Sequence, residues 1–225
     1  KGELSGSDDR YSLTVTPDEN SEGDIVIKTK AGMVTDLAGN KIKEAKTTKQ
    51  AYDTKAPTFK ITNNADGISN NEVTFDFVFS EDIQGFTSKD IKVTGGSKGE
   101  LSGSDDRYSL TVTPDENSEG DIVIKTKAGM VTDLAGNKIE KAQTTKQAFD
   151  TKAPTYEITS SAKGIANGEV NFDFVFSEEI QGFTSKDIKV TGGSKGNLIG
   201  SGDSYSLTIT PDENSEGDIV IKTKA

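Results

Sequence analysis

Val73-Thr74-Phe75-Asp76-Phe77-Val78-Phe79 alternates without a fault, with Val73, Phe75, Phe77 and Phe79 at every second position. Successive side chains of a β-strand point to opposite faces, so this period of two gathers the valine and three phenylalanines on one face. An aromatic row of that size must sit against an opposite sheet, which makes the stretch an inner strand of a two-layer β-structure. The row returns 97 residues later as Val170, Phe172, Phe174 and Phe176.

That interval measures the whole chain. Asp53-Thr54-Lys55-Ala56-Pro57-Thr58 recurs letter for letter as Asp150 to Thr155, and the stretch from Tyr11 to Asn20 recurs from Tyr108 and, with Ile209 in the place of Val15, from Tyr205. Proline fixes its own φ, lacks an N–H donor and pushes the preceding residue to an extended conformation, so Asp-Thr-Lys-Ala-Pro reads as a short, stiff junction between domains. The 225 residues then divide into 1–52, the C-terminal part of one repeat; 53–149, a complete repeat; and 150–225, a repeat lacking its last strand. The sequence reads as a window on a longer array, whose units close on their own strands or on a neighbour's.

Within the middle copy the pattern predicts strands at 58–62, 73–79, 90–94 with Ile91 and Val93 inward, around Leu101, at 107–113 with Tyr108, Leu110 and Val112 inward, at 121–127, and at 144–149. Clusters of Gly, Asn, Asp and Pro separate them, and Thr94-Gly95-Gly96-Ser97-Lys98-Gly99 reads as a hairpin turn. No segment sustains a helical period. The fold class is therefore all-β, and about seven short strands per 97-residue repeat are the signature of an immunoglobulin-like sandwich, in Greek-key or meander topology.

Composition narrows the function. The net charge is −11, from 37 acidic and 26 basic residues, and no basic stripe is present to follow a phosphate backbone, which argues against nucleic acid and anionic membrane as partners. No apolar run is long enough to span a bilayer. Cys, His and Trp are absent. Without them there is no Ser-His-Asp triad, cysteine nucleophile, imidazole base or usual zinc set, so the expectation is a non-enzyme. The adjacent acids Glu81-Asp82, Asp105-Asp106 and Asp115-Glu116 read as solvated loop charge, because neighbours on a strand face opposite ways and neighbours in a turn face water.

Taken in order and spacing, four motifs carry a resemblance: Asp-Thr-Lys-Ala-Pro-Thr; Phe79-Ser80-Glu81-Asp82-Ile83-Gln84-Gly85-Phe86; Asp90-Ile91-Lys92-Val93-Thr94-Gly95-Gly96; and Thr132-Asp133-Leu134-Ala135-Gly136-Asn137. The chain resembles the bacterial Ig-like tandem repeats of large secreted surface adhesins of the biofilm-associated and RTX-adhesin type. That resemblance implies export to the bacterial cell surface, service as stalk or adhesive repeats, a host or surface ligand bound elsewhere in the full protein, and calcium at or near domain junctions.

Alternating strand directions sort the acids by pole. The turn with Asp105 and Asp106 falls at the N-terminal pole of the middle repeat together with Asp53, Glu81, Asp82, Asp133 and Asn137, where Asp18, Glu19 and Glu22 of the preceding copy approach them. Like charges so crowded repel unless a cation lies between them. The candidate calcium ligands are Asp53, Glu81, Asp82, Asp133 and Asn137 with their repeat equivalents Asp36, Asn40, Asp150, Glu178 and Glu179. Acids merely splayed into solvent are the alternative, and the Asp133-to-Asn137 loop also reads as an Asx turn. Two roles stay open: a spacer of tandem repeats whose partners are its own neighbours, and a filament or sheath subunit joined to other copies of itself by strand addition. A carbohydrate-binding module is a weaker third, because its platform aromatics are wanting.

Overall fold

The structure, a computed structural model, describes residues 2–224. The chain splits into two compact units, Lys1–Thr151 and Lys152–Ala225.

The first unit opens with two antiparallel ribbons, β1 (Leu4–Ser7) with β2 (Arg10–Leu13) and β3 (Glu22–Lys28) with β4 (Thr47–Asp53). None of residues 2–52 is buried, since the described part of this copy supplies ribbons and no second layer. The complete repeat follows as β5 (Phe59–Asn63), β6 (Val73–Phe79), β7 (Ile83–Gln84), β8 (Lys92–Thr94), β9 (Gly96–Ser104), β10 (Arg107–Pro114), β11 (Glu119–Lys125), β12 (Thr132–Asp133) and β13 (Thr144–Asp150). One sheet runs β5-β6-β10-β9 and the other β13-β11-β8. With β7 and β12 set aside as a separate ribbon, this is the order of a seven-stranded immunoglobulin-type sandwich, which decides for Greek key over meander.

The alternating face lands as the sequence dictates. Val73, Phe75, Phe77 and Phe79 are all buried, while Thr74, Asp76 and Val78 between them are half-buried. Leu110 and Val112 lie beside the row on β10, Ile122, Ile124 and Phe149 come from the opposite sheet, and Phe86 places its ring edge against Phe77 with centroids 5.3 Å apart. Edge-to-face contact suits rings with negative faces and positive rims.

Three details depart from the sequence reading. The segment after Thr94 is not a hairpin turn: only Gly95 turns, with φ of +80°, and Gly96 onward is strand β9. A Cβ on Gly95 would come within 2.2 Å of the Asp121 carbonyl, so the chain crosses from one sheet to the other at a point where only glycine fits. Asp90 belongs to a 3-10 turn, Ser88–Asp90, because its carboxylate accepts from the Thr87 N–H at 2.8 Å and hydroxyl at 2.7 Å, so β8 starts at Lys92. The ribbon of β7 with β12 was not anticipated, two residues a side being too short to show a period.

The second unit contains β14 (Tyr156–Ser160), β15 (Val170–Phe176), β16 (Ile188–Thr191), β17 (Gly193–Ser201), β18 (Ser204–Pro211) and β19 (Val220–Thr223). Its sheets are β14-β15-β18-β17 and β16-β19. Phe174, Ile188, Leu207 and Ile209 form a smaller core, and Phe172 and Phe176 are only half-buried.

Truncating a fully covered core phenylalanine removes its transfer energy and leaves a cavity, so Phe77→Ala should cost about 3–5 kcal/mol. Phe79→Ala should cost clearly more than Phe176→Ala, the same position in the less covered copy. Hydrogen exchange read separately on the two units checks both, and equal losses at positions 79 and 176 would contradict the difference in cover.

Candidate metal centre

Three elements of the first unit converge at one pole of the middle repeat. Asp53 ends β4, Glu81 sits in the turn after β6, and Asp133 ends β12. One carboxylate oxygen from each lies within 4.8 Å of the other two.

Asp133 is the most confined of the three, at 1% exposure. Its two oxygens each accept from Asn137, Oδ1 from the backbone N–H at 2.8 Å and Oδ2 from Nδ2 at 2.8 Å. The same Nδ2 donates to the Asp53 carbonyl at 3.2 Å, so Asn137 ties the loop to the junction. The loop itself is self-sufficient. Its repeat in the first copy keeps the bonds at 2.8 and 2.9 Å with nothing buried around them, and there the Asn40 side chain, followed by its backbone, holds the Asp36 carboxyl below its ordinary range. Asp133 is thus an Asx turn that the surrounding repeat has covered.

Asp53 accepts from the Lys55 N–H at 2.8 Å. Next to it, Thr54 is strapped to the preceding copy: its Oγ1 donates to the Asp18 carbonyl at 2.6 Å and accepts from the Ser21 N–H at 3.1 Å, and its own N–H donates to the Ser21 carbonyl at 2.9 Å. The strap recurs at the other end of the middle repeat, where Thr151 makes the same bonds to Asp115 and Ser118. Sequence reasoning weighed the acids and missed the threonine, although its recurrence within Asp-Thr-Lys-Ala-Pro was a signal.

Glu81 experiences the crowding. Burial first, and then the charges of Asp133, Asp53 and Glu22 in turn, push its carboxyl above the ordinary range, against a smaller pull from Lys55. Glu22 belongs to β3 of the preceding copy, so the field at Glu81 is made by both repeats.

Of the other sequence candidates, Asp82 and Glu179 are exposed, Glu178 and Asp150 are half-buried, and Asp36 and Asn40 stand in the exposed loop of the first copy. None of them joins the group of three among the described residues. The position 97 residues before Glu81 precedes residue 1 and that 97 residues after Asp133 follows residue 225, so the middle copy alone holds all three carboxylates within this sequence.

The donor set fits calcium. Calcium takes six to eight oxygens at about 2.4 Å, so two ligands of one ion stand at most about 4.8 Å apart. Three carboxylates inside that span, with no histidine or cysteine anywhere in the chain, offer hard oxygen ligands only. Among the described residues no helix is long and apolar enough to cross a membrane.

Comparison with family models agrees with this architecture. A family model described as a bacterial Ig-like domain matches residues 53–148 and again 150–225. No curated protein matches. Among solved structures, invasin, a bacterial integrin-binding protein, is similar at 14% identity and a TM-score of 0.43 over 94% of this chain, which spans about half (51%) of the invasin chain. Two tandem matches covering most of the sequence, on a sandwich of the order just described, establish that the chain belongs to the bacterial Ig-like domain family.

Proposed function

We propose that these are non-catalytic structural repeats of a bacterial extracellular surface protein, which space an adhesive surface from the cell, and that calcium stiffens the junction before the middle repeat. The observation that carries this reading is the double hold on two consecutive residues. Thr54 is bonded to Asp18 and Ser21 of one repeat, and Asp53 to Asn137 of the next, so neither repeat can turn about the junction without breaking bonds made by the other. A spacer needs such a joint, because a flexible one recoils and reach no longer grows with repeat number.

Charge explains the role of the ion. Two carboxylates about 4 Å apart repel by roughly 4 kcal/mol at the effective dielectric of a protein surface, and less where water screens them. Asp53, Glu81 and Asp133 are held together by chain geometry, so this repulsion acts against the docked state. Calcium bound among them reverses its sign. Asp133 and Asp53 supply carboxylates already oriented by Asn137 and Lys55, and Glu81 supplies the one with fewest fixed bonds.

A variant with opposite effects in two media tests the site. Glu81→Gln should melt above the parent in chelator, where it relieves repulsion, and below it in millimolar calcium, where it lacks a ligand. The pH dependence has a definite sign. The folded-state pKa of Glu81 is raised from 4.5, so the folded state holds its proton longer than the unfolded one, and stability falls as pH rises through the window above 4.5. In chelator the difference between parent and Glu81→Gln should open across that window, and a pH-independent difference would remove Glu81 from the account.

Scattering tests the spacer. The distribution of maximum dimension should narrow in calcium for the parent and broaden for Thr54→Val, which keeps the shape of the side chain but loses both Oγ1 bonds. If the chain, displayed between an anchor and a reporter, bound host cells by itself, or left the distance of the reporter from the membrane unchanged, the spacer reading would be wrong.

A further inference from the structure

The loop between β14 and β15 holds Asn167-Gly168, the one Asn-Gly pair in the sequence. Glycine has no Cβ, so its backbone nitrogen is the least hindered that can follow an asparagine, and its wide range of φ and ψ lets that nitrogen swing toward the side-chain amide. Asn167 and Gly168 are both exposed. So are Asn70 and Asn71 at the same place in the complete middle repeat, which makes solvent access a property of this loop.

Two differences between the copies fall on either side of this asparagine. In the middle repeat Ser69-Asn70-Asn71 is closed by its own bonds: Ser69 Oγ accepts from the Asn71 N–H at 3.3 Å and donates to the Asn71 carbonyl at 2.9 Å, and Asn71 Nδ2 donates to Asn70 Oδ1 at 2.6 Å. The nitrogen that follows Asn70 is thereby occupied and carries a side chain. In the second unit Ala166 stands in the place of Ser69 and Gly168 in the place of Asn71, so hydroxyl and side chain are both gone. Among the described residues neither the Asn167 amide nor the Gly168 N–H has a hydrogen-bond partner.

The junction strap guards two further asparagines in the same way. Asn20 and Asn117 are each followed by serine, and the serine nitrogen is engaged: the Ser21 N–H donates to Thr54 Oγ1 and the Ser118 N–H to Thr151 Oγ1, both at 3.1 Å. Packing does not demand the glycine at 168. A Cβ there would meet nothing within 4 Å, and its φ lies outside the left-handed region.

We propose that Asn167 is a site of self-modification, deamidated through a cyclic imide with Gly168. The Gly168 nitrogen gives up its proton and attacks Asn167 Cγ. A new C–N bond closes a five-membered succinimide while the bond from Cγ to Nδ2 breaks, and the leaving nitrogen takes up the proton as ammonia. Water then opens the ring at either carbonyl. Opening at Cγ leaves aspartate, and opening at the main-chain carbonyl leaves isoaspartate, whose backbone runs through Cβ. The sum is asparagine and water to acid and ammonia, with no oxidant or reductant. Either product adds one negative charge to the loop, and isoaspartate also lengthens the main chain by one atom shortly before Val170, the buried first residue of β15.

Peptide mapping by mass spectrometry of the full chain, aged at neutral pH, tests this. In the folded chain Asn167 should convert about tenfold faster or more than Asn70, Asn20 or Asn117. Two products of equal mass should separate, one of which, the isoaspartate, accepts a methyl group from an isoaspartyl methyltransferase. The double variant Ala166→Ser with Gly168→Asn restores the middle-copy loop in open space, and should slow position 167 to the pace of Asn70. Unfolding the parent in urea should leave the rate at Asn167 little changed. The proposal is overturned by conversion at Asn167 no faster than at Asn70, by aspartate as the sole product, by a double variant as fast as the parent, or by a rate at Asn167 that climbs steeply on unfolding.

Discussion

A row of phenylalanines on one strand can be buried only if a second sheet lies across it, and the rest of each repeat follows from that requirement. Phe75, Phe77 and Phe79 are covered because β11 and β13 bring Ile122, Ile124 and Phe149 over them. The second unit is an internal control. Its row has the same residues, yet Phe172 and Phe176 are half-buried where, among the described residues, β19 has a strand on one side only. Strand alternation decides which face is apolar, and strand number decides whether that face becomes a core.

Divergence between the two longer copies respects the same boundary. Residues 53–128 and 150–225 differ at fourteen positions, and of these only Phe59 and Val112 are buried hydrophobics in the middle repeat. Their replacements, Tyr156 and Ile209, keep the ring or the branching. The other changes fall where no close packing restrains them, Glu100 to Asn197 and Arg107 to Ser204 among them, whereas the junction acids recur unchanged as Asp150 and Glu178. A solvated loop acid with no neighbour to answer to has the freedom that Asp82 used in becoming Glu179.

What the sequence made legible was what depends on period and recurrence. The strand at 73–79 has the bounds the alternation predicts, and the repeated Asp-Thr-Lys-Ala-Pro lies where the family match begins, at residue 53. Strands with two residues a side, such as Ile83–Gln84 against Thr132–Asp133, carry no period and were invisible, yet that ribbon brings the turn bearing Glu81 to the loop bearing Asp133. Glycine misled at β9, where Gly96 and Gly99 continue a strand and only Gly95 turns, because a positive φ is a property of one residue and a run of glycines does not say which. Pole assignment put Glu81 and Asp82 together and could not separate them: both lie in the turn between β6 and β7, where no period applies, and only the folded turn half-buries Glu81 and exposes Asp82.

The junction joins these themes, since it is the place where the end of one repeat becomes a wall of the next. Asp53 is the last residue of β4, in the sheet of the preceding copy, and its carbonyl is bonded by Asn137 of the following one. Residues in that position must satisfy two folds at once, which leaves Asp-Thr-Lys-Ala-Pro little room to vary: the carboxylate caps its own turn through the Lys55 N–H, the threonine hydroxyl holds the Asp18 and Ser21 backbone, and the proline keeps Ala56 extended toward β5. The charge gathered there is a consequence of the same economy. Bringing a capping aspartate, an Asx-turn aspartate and a turn glutamate to one pole costs repulsion that Lys55 offsets only in part, and burial first and then that repulsion hold the Glu81 carboxyl above its ordinary range.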